Sequence, residues 1–248
     1  MKYYIIFIII FIFACPALAL ANDLPDRDRD GVPDKDEQEV YFTNPDNPDT
    51  DNDGYNDWVE LNNGYSPYSG DHAKLEDTDS DGDGLSDKME IAFHSSPLNA
   101  DTDGDGYQDR EEIKKGYNPA KGGGAELERK IFIDKKNQLL SYNLGGVSLG
   151  IFPVSTGRPG LETFSGSFQV LEKDLRRWSS GAKLWMPFWM MFNWQGQGIH
   201  ELPEWDDGTK EGENHLGIPV SHGCVRLGIG PAEELYNFAK IGTKVYVN

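Results

Sequence analysis

A twelve-residue pattern that recurs four times constrains the fold of this 248-residue chain more than any other feature. In one-letter code the pattern is D-x-D-x-D-G-x-x-D-x-x-E, and every defined position is filled in every copy. An internal repeat of this kind indicates an array of similar small units. The copies are Asp26, Asp28, Asp30, Gly31, Asp34 and Glu37; Asp49, Asp51, Asp53, Gly54, Asp57 and Glu60; Asp79, Asp81, Asp83, Gly84, Asp87 and Glu90; and Asp101, Asp103, Asp105, Gly106, Asp109 and Glu112.

The spacing of the oxygen donors indicates what such a loop binds. Calcium takes about 6 to 8 hard oxygen ligands, which the loop offers as carboxylates at positions 1, 3, 5 and 9, directly or through water, and as a bidentate glutamate at position 12. Glycine at position 6 permits the sharp turn that folds these oxygens around an ion. The pattern therefore predicts a structural Ca²⁺ site in each copy. A merely solvated acidic linker would not keep Gly and Glu in register four times.

The charge of the chain is concentrated in this repetitive half. Residues 22–120 contain 28 Asp and Glu against 8 Lys and Arg, whereas residues 121–248 contain equal numbers of both and the whole chain carries −19. Phosphate binding needs a basic surface, so this acidity argues against nucleic acid as a partner. It suits bound cations.

Each copy matches the calcium loop of an EF-hand, but its flanks are short. Only about seven residues lead from the last glutamate to the end of the following turn, as at Gly64-Tyr65-Ser66-Pro67, which leaves room for a short outgoing helix and none for a long incoming one. Residues 22–118 therefore resemble bacterial thrombospondin type 3 or dockerin-like repeats. This resemblance implies a stiff spacer or a module that docks on another protein of the envelope.

The first residues have the pattern of an export signal. Lys2 is followed by an apolar stretch and by the small-residue ending Ala19-Leu20-Ala21, which predicts a signal peptide over residues 1–21 and a location in the periplasm or cell envelope. A membrane-spanning helix would need about 20 apolar residues, and Pro16 interrupts this shorter stretch. The alternative is a lipoprotein, because residues 12–15 loosely resemble a lipobox ending at Cys15. If the signal is removed, Cys224 is the lone thiol of the mature chain.

The second half predicts a different architecture. Glycines 122–124 mark a linker over residues 119–128. Beyond it, alternating short apolar runs and turns predict a mainly β domain over residues 129–248, with one helix at 231–240. We expect strands at 130–134, 138–143, 147–155, 167–171, 186–194 and 244–247, and a loop at 176–178.

The chemistry of this half is concentrated in Ser221-His222-Gly223-Cys224-Val225-Arg226-Leu227, with Ile199-His200 upstream. A cysteine attacks a carbonyl as thiolate, so it needs a nearby base or positive charge, and His200, His222 and Arg226 are candidates. The backbone N–H groups of Gly223 and Cys224 are candidates for stabilising an oxyanion. The alternative is that Cys224 is a buried apolar residue without chemistry.

These residues resemble the L,D-transpeptidase (YkuD-type) catalytic domain, whose signature is a histidine followed at a distance by Ser/Thr-His-Gly-Cys. The resemblance implies a YkuD-like β-sandwich with a short helix. It also implies that Cys224 is the nucleophile, that His200 or, slightly less favoured, His222 is the base oriented by a backbone carbonyl, and that Gly223 shapes the turn after Ser221. Arg226 would support this turn or bind a substrate carboxylate.

Two departures from the family pattern concern His200. Glu201 stands where the family usually has Gly or Ser, and the spacing to Ser221 is longer by an apparent insertion at 206–212. His215 lies outside the signature and is interpreted as structural. The aromatic block 185–194 is interpreted mainly as a buried strand, with one or two residues facing a substrate cleft.

The resemblance implies an enzyme that acts on peptidoglycan stem peptides and forms cell-wall cross-links through a cysteine acyl-enzyme, with no cofactor for catalysis. The alternatives are an L,D-carboxypeptidase or hydrolase on the same stems, and an inactive, calcium-stabilised protein that binds the envelope. An active site of this type would be expected to contain a fast-reacting cysteine of low pKa.

Overall fold

A computed structural model describes residues 24–248 of the chain. The predicted signal peptide and Cys15 lie outside the described residues. Within residues 24–248, no helix combines the length and the apolar character needed to cross a membrane.

The repetitive half consists of loops that each lead into a short helix. The helices begin at position 9 of the pattern and are α1 (Asp34–Asp36, continued by a π-helical turn at Glu37–Tyr41), α2 (Asp57–Asn63), α3 (Asp87–Phe93) and α4 (Asp109–Lys115). Helices of about two turns are marginal alone, so their buried contacts must hold them in place. The prediction of calcium-type loops with short outgoing helices is confirmed at the level of the fold.

The second half is built on one curled sheet of nine described strands. These are β1 (Arg129–Asp134), β2 (Leu139–Leu144), β3 (Val147–Ser155), β4 (Gly166–Gln169), β5 (Glu172–Ser179), β6 (Leu184–Met191), β7 (Gly198–Glu201), β8 (Val225–Leu227) and β9 (Lys244–Val247). Their order is β4-β9-β1-β2-β3-β8-β7-β6-β5. The pairs β1/β9 and β7/β8 are parallel and the others antiparallel. The predicted mainly β fold is confirmed.

One helix, α5 (Pro231–Phe238), closes the core of the sheet. Pro231 stands at its first position, where its missing N–H costs nothing. Ala232 and Leu235 are fully buried against apolar side chains of the strands, including Ile131 and Val225.

The structure corrects the predicted loop at 176–178. Arg176, Arg177 and Trp178 lie in β5, an edge strand that pairs with β6 and sets Trp178 opposite Trp185. The sequence obscured this strand because its polar residues face solvent at the sheet edge. The aromatic block is mostly strand β6, as predicted, but Trp194 lies in the turn beyond it with 84% of its surface exposed.

The two halves share a small apolar cluster, here called the seam. Phe93 of α3 and Ile113 of α4 pack with Leu144 of β2, and partly buried neighbours such as Leu127 and Phe238 complete it. Polar contacts flank the seam, where Lys240 reaches Glu126 at 2.9 Å. The segment predicted to be a linker is therefore folded against both halves.

Candidate active site and cation sites

The parallel pair β7/β8 brings the predicted catalytic residues together. In its register His200 lies opposite Arg226, so Cys224, just before β8, comes close to the same strand end. A cleft of about 430 Å³ is lined by His200, Ser221, His222, Cys224 and Arg226. Residues far apart in the sequence thus form one concave site.

Hydrogen bonds fix the turn that carries Cys224. The Ser221 hydroxyl donates to the Cys224 carbonyl at 2.5 Å and accepts from the Gly223 N–H at 3.1 Å. Gly223 has a φ of 111°, a left-handed conformation that favours glycine. A Cβ there would also come within 2.7 Å of the amide nitrogen of Gln197. Ser221 and Gly223 therefore shape the turn.

This geometry changes one expectation about the oxyanion. Because the Gly223 N–H already donates to Ser221, it is engaged inside the turn and does not point to a substrate carbonyl. The Cys224 N–H is left as the candidate donor from the predicted pair.

His200 is held as a neutral imidazole. It is buried, with 2% of its surface exposed, and its Nδ1 lies 2.5 Å from the main-chain carbonyl of Glu201. A carbonyl only accepts, so Nδ1 carries the proton and Nε2 is free to accept one. Burial lowers the pKa of His200 to about 4, and the nearby Arg226 charge adds to this. His222, by contrast, is exposed at the cleft.

Cys224 is a partly buried free thiol. Burial raises its pKa, although the N–H of Gly198 and the charge of Arg226 act in the opposite direction. The resting site is therefore a thiol and a neutral imidazole that line the same cleft. This differs from the expected low-pKa cysteine, because the sequence does not reveal how deeply the turn places the sulfur.

The insertion at 206–212 supplies charge partners to the site. Lys210 pairs with the buried carboxylate of Glu201. The Glu211 carboxylate accepts from Arg226 at 3.0 and 2.9 Å, and His215 lies 2.9 Å from the same carboxylate. Lys210 thus compensates the charge of the unusual Glu201, and the adjacent Glu211 holds Arg226.

Two residues of the site carried no signal in the sequence. The buried Thr163 hydroxyl donates to the Gly223 carbonyl at 2.9 Å and accepts from the Gly157 N–H at 2.9 Å. Gln197 donates to the Glu162 carbonyl at 2.9 Å and accepts from the Phe164 N–H at 3.0 Å. Both hold loops around the Cys224 turn, and only the tertiary structure brings them there.

The predicted metal-binding carboxylates converge in each repeat. Ligand oxygens from positions 1, 3 and 5 lie within 4.8 Å of one another in all four loops. The glutamate at position 12 is buried in each loop. Among the described residues, one carboxylate oxygen of Glu37, one of Glu112, and both oxygens of Glu60 and of Glu90 have no hydrogen-bond partner. Orphaned buried carboxylate oxygens that face other carboxylates fit a bound divalent cation.

The aspartates at position 9 have a different role in this structure. In each loop their oxygens accept from the residue at position 2. Asp57, for example, accepts from the N–H of Thr50 at 2.8 Å and from its hydroxyl at 2.7 Å. Equivalent contacts clamp the other loops through Asp34, Asp87 and Asp109. These carboxylates orient the loop.

The clustered charges alter the protonation of the glutamates at position 12. Burial, together with the neighbouring aspartates, raises the pKa of Glu37 and Glu112 to about 7, of Glu60 to about 8 and of Glu90 to about 9. Without a cation these groups hold protons near neutral pH. A divalent ion would displace those protons.

Comparison with known proteins agrees with the two halves. Residues 128–247 match the L,D-transpeptidase catalytic domain family (YkuD), and residues 49–64, 79–100 and 101–122 match the bacterial TSP3 repeat. No curated protein matches significantly.

Solved structures similar to the chain include L,D-transpeptidases from Mycobacterium smegmatis (20% identity, TM-score 0.45), Mycobacterium tuberculosis H37Rv (23%, 0.45) and Stackebrandtia nassauensis (30%, 0.42). Each match covers 50% of this chain and 60%, 59% and 57% of the respective structure. The chain thus spans about three fifths of the length of these proteins. Residues 128–247 form a YkuD-type L,D-transpeptidase catalytic domain, and bacterial TSP3 repeats precede it.

Proposed function

We propose that this protein is an exported peptidoglycan L,D-transpeptidase that forms cell-wall cross-links through an acyl-enzyme on Cys224. The observation that carries the proposal is the arrangement of His200. Its imidazole is neutral, its Nδ1–H is engaged by the Glu201 carbonyl, and it shares the cleft with Cys224. This is the state a general base needs before it accepts a proton from a thiol.

In the first half-reaction the thiol proton moves to Nε2 of His200 as the sulfur attacks. The electrophile is the carbonyl of the diamino acid at position three of a donor tetrapeptide stem. The resulting tetrahedral oxyanion would be stabilised by the Cys224 N–H. Collapse breaks the bond to the terminal D-Ala, and the proton on His200 passes to the departing amine. A thioester on Cys224 remains.

In the second half-reaction an amine of another stem loses a proton to His200 and attacks the thioester carbonyl. The new amide bond forms, the carbon–sulfur bond breaks, and the proton returns to the sulfur. Water in place of the amine would give the carboxypeptidase reaction. Both outcomes use the same residues, so the acceptor that enters the cleft decides between them.

The raised pKa of Cys224 and the lowered pKa of His200 favour this concerted route over a resting thiolate–imidazolium pair. Arg226 is proposed to support the turn, because the Glu211 carboxylate already accepts its hydrogen bonds. His222 is exposed, and we assign it no proton transfer.

For the repeats we propose one structural divalent cation in each loop, Ca²⁺ where the ligands are oxygens alone, held by the aspartates at positions 1, 3 and 5 and the glutamate at position 12. Their support is the convergence of the aspartate oxygens and the orphaned oxygens of the glutamates described above. Bound calcium would neutralise the mutual repulsion of these carboxylates and stiffen the array. A periplasmic or envelope location follows from the proposed export signal, and the outer face of the array is proposed to bind an envelope protein.

The proposal is tested with residues 22–248 in Ca²⁺, incubated with disaccharide-tetrapeptide fragments and followed by mass spectrometry. Wild type should give cross-linked dimers and released D-Ala. Cys224→Ala should give neither product, and His200→Asn should be slower by about 100-fold or more. His222→Asn serves as the matched histidine control and should stay close to wild type.

Tripeptides without dimers would instead identify a hydrolase. No product from folded, calcium-loaded wild type would support the inactive envelope-binding alternative.

A further inference from the structure

The internal repetition extends beyond the four loops. The segment after the second loop, residues 64–75, and the segment after the fourth, residues 116–127, share six of twelve residues in register. Each closes on itself through the same backbone contacts. The Ser66 N–H donates to the Ala73 carbonyl at 3.0 Å, and the Asn118 N–H donates to the Ala125 carbonyl at 2.9 Å. The array is therefore two modules, each with two loops and a return segment.

The modules differ at the position of His72. His72 in the first return segment corresponds to Gly124 in the second, and both have left-handed backbones, with φ of 58° and 69°. Glycine adopts this conformation freely, whereas a residue with a side chain does so at a cost. The first module thus has a strained histidine where the second module has an unstrained glycine.

The His72 side chain reaches into the second calcium-type loop. Its Nδ1 lies 3.2 Å from Asp53 Oδ2 and 3.9 Å from Glu60 Oε1. Ligand atoms of the three residues all lie within 4.8 Å of one another, a separation that one ion can bridge. The rings of Tyr55 and Tyr65 flank the imidazole, with centroids at 4.0 and 5.4 Å, and fix its direction.

The second module shows the same surroundings without the imidazole. A cleft of about 360 Å³ is lined by Tyr107, Tyr117, Glu112 and Gly124, which correspond to Tyr55, Tyr65, Glu60 and His72. The histidine therefore occupies a place that is open in the sister module.

The buried carboxylate of Glu60 points to an ion at this place. Glu60 is 1% exposed, it is directed into the cluster, and neither of its carboxylate oxygens has a hydrogen-bond partner among the described residues. Burial of an unpartnered carboxylate is costly, and a cation between Asp53, Glu60 and His72 would remove that cost.

We propose that His72 is a metal ligand that makes the second loop a mixed nitrogen and oxygen site for a first-row transition cation such as Zn²⁺. Calcium prefers oxygen ligands, whereas an imidazole nitrogen with two carboxylates suits Zn²⁺. The fourth loop offers oxygen ligands alone and keeps the preference of the pattern for Ca²⁺. One array would then carry two kinds of ion.

The test measures Zn²⁺ binding by residues 22–248 in excess Ca²⁺, with native mass spectrometry for stoichiometry and calorimetry for affinity. All chains carry Cys224→Ala, so that the thiol does not contribute. The variants are His72→Gly, which imitates the second module, and the control His94→Gly. His94 is an exposed histidine with a φ of 60° and belongs to none of the ligand clusters found in residues 24–248.

We expect one Zn²⁺ that excess Ca²⁺ does not displace. His72→Gly should weaken it by more than the roughly tenfold loss that follows removal of an outer-shell partner. His94→Gly should leave the affinity unchanged. The ¹⁵N resonances of the His72 imidazole should shift on Zn²⁺ addition, which a purely structural role would not cause.

A gain-of-function variant completes the design. Gly124→His should add a second Zn²⁺ equivalent at the fourth loop, because the tyrosines and carboxylates that would surround the imidazole are already present. Equal Zn²⁺ affinities of wild type and His72→Gly would overturn the proposal. So would a Gly124→His chain that retains Ca²⁺ binding at the fourth loop but gains no Zn²⁺.

Discussion

Lys210 forms an ion pair with Glu201 that keeps a buried carboxylate tolerable directly beside His200. Glu201 is 2% exposed, and its main-chain carbonyl is the group that orients the imidazole. Glu201 therefore has two roles: its backbone carbonyl orients His200, and its side chain pairs with Lys210 of the segment 206–212.

Removing the cation of this pair should destabilise the catalytic half. Lys210→Met leaves the Glu201 charge buried and unpaired, and we expect a loss of about 3 kcal/mol in the free energy of unfolding, measured by urea denaturation in Ca²⁺. The exposed Lys136→Met is the control and should change little. Adding Glu201→Gln to Lys210→Met should recover most of the loss, and a double variant as unstable as the single one would contradict the argument.

The pH profile of acylation should reflect the buried imidazole. The proposed base, His200, can accept a proton only when neutral, and its pKa of about 4 keeps it neutral well below the range of an ordinary histidine. The single-turnover rate of acyl-enzyme formation on Cys224, followed by mass spectrometry, should therefore hold from pH 7 to about pH 5 and fall toward pH 4. A fall centred near pH 6.5 would mean that the base is a solvated histidine.

The Thr163 hydroxyl should matter for catalysis although it does not line the cleft. Thr163→Val keeps the shape but leaves the Gly157 N–H and the Gly223 carbonyl without their partner, which should cost about 1 to 3 kcal/mol of stability. Because the turn carries Cys224, acylation should also slow by about 10-fold to 100-fold. Thr163→Ser retains the hydroxyl and should restore the rate; failure of this rescue would indicate that packing is what matters.

The repeats should show an inverted dependence of stability on pH when cations are removed. The pKa values of the four position-12 glutamates are raised in the folded state, to between about 7 and 9. The folded form then binds more protons than the unfolded one. The stability that these four groups contribute is therefore fully present below about pH 4.5 and is lost as the pH rises through their folded-state pKa values.

Thermal melts of demetallated protein should consequently give a lower Tm at pH 8 than at pH 5.5. Saturating Ca²⁺ should reverse this order, because protons compete with the ion for the same oxygens. A demetallated array whose Tm rises with pH would contradict the burial of Glu60 and Glu90.

The sequence predicted most of what depends on local pattern. The spacing of the acidic residues identifies the loops, and the alternation of apolar and polar residues identifies strands β1 to β3. The short strands β7 and β8, with four and three residues, offer no period to detect. Their pairing nevertheless positions His200 and Cys224.

What the sequence could not provide depends on contacts between distant segments. Thr163 and Gln197 are ordinary polar loop residues until the fold sets them against the Cys224 turn. Similarly, the sequence does not show that the Gly223 N–H is already hydrogen-bonded to Ser221. It also does not show that His72 lies against Asp53.

The seam between the halves has a consequence for the lifetime of the folded chain. Leu144 of the catalytic sheet is fully buried, and Phe93 and Ile113 of the repeats supply part of its cover. If the repeats bind Ca²⁺ as proposed, a shortage of calcium would loosen α3 and α4, this leucine would lose its cover, and the loosened chain would become a substrate for proteases. The supply of ions to the repeats would then set the lifetime of the catalytic half.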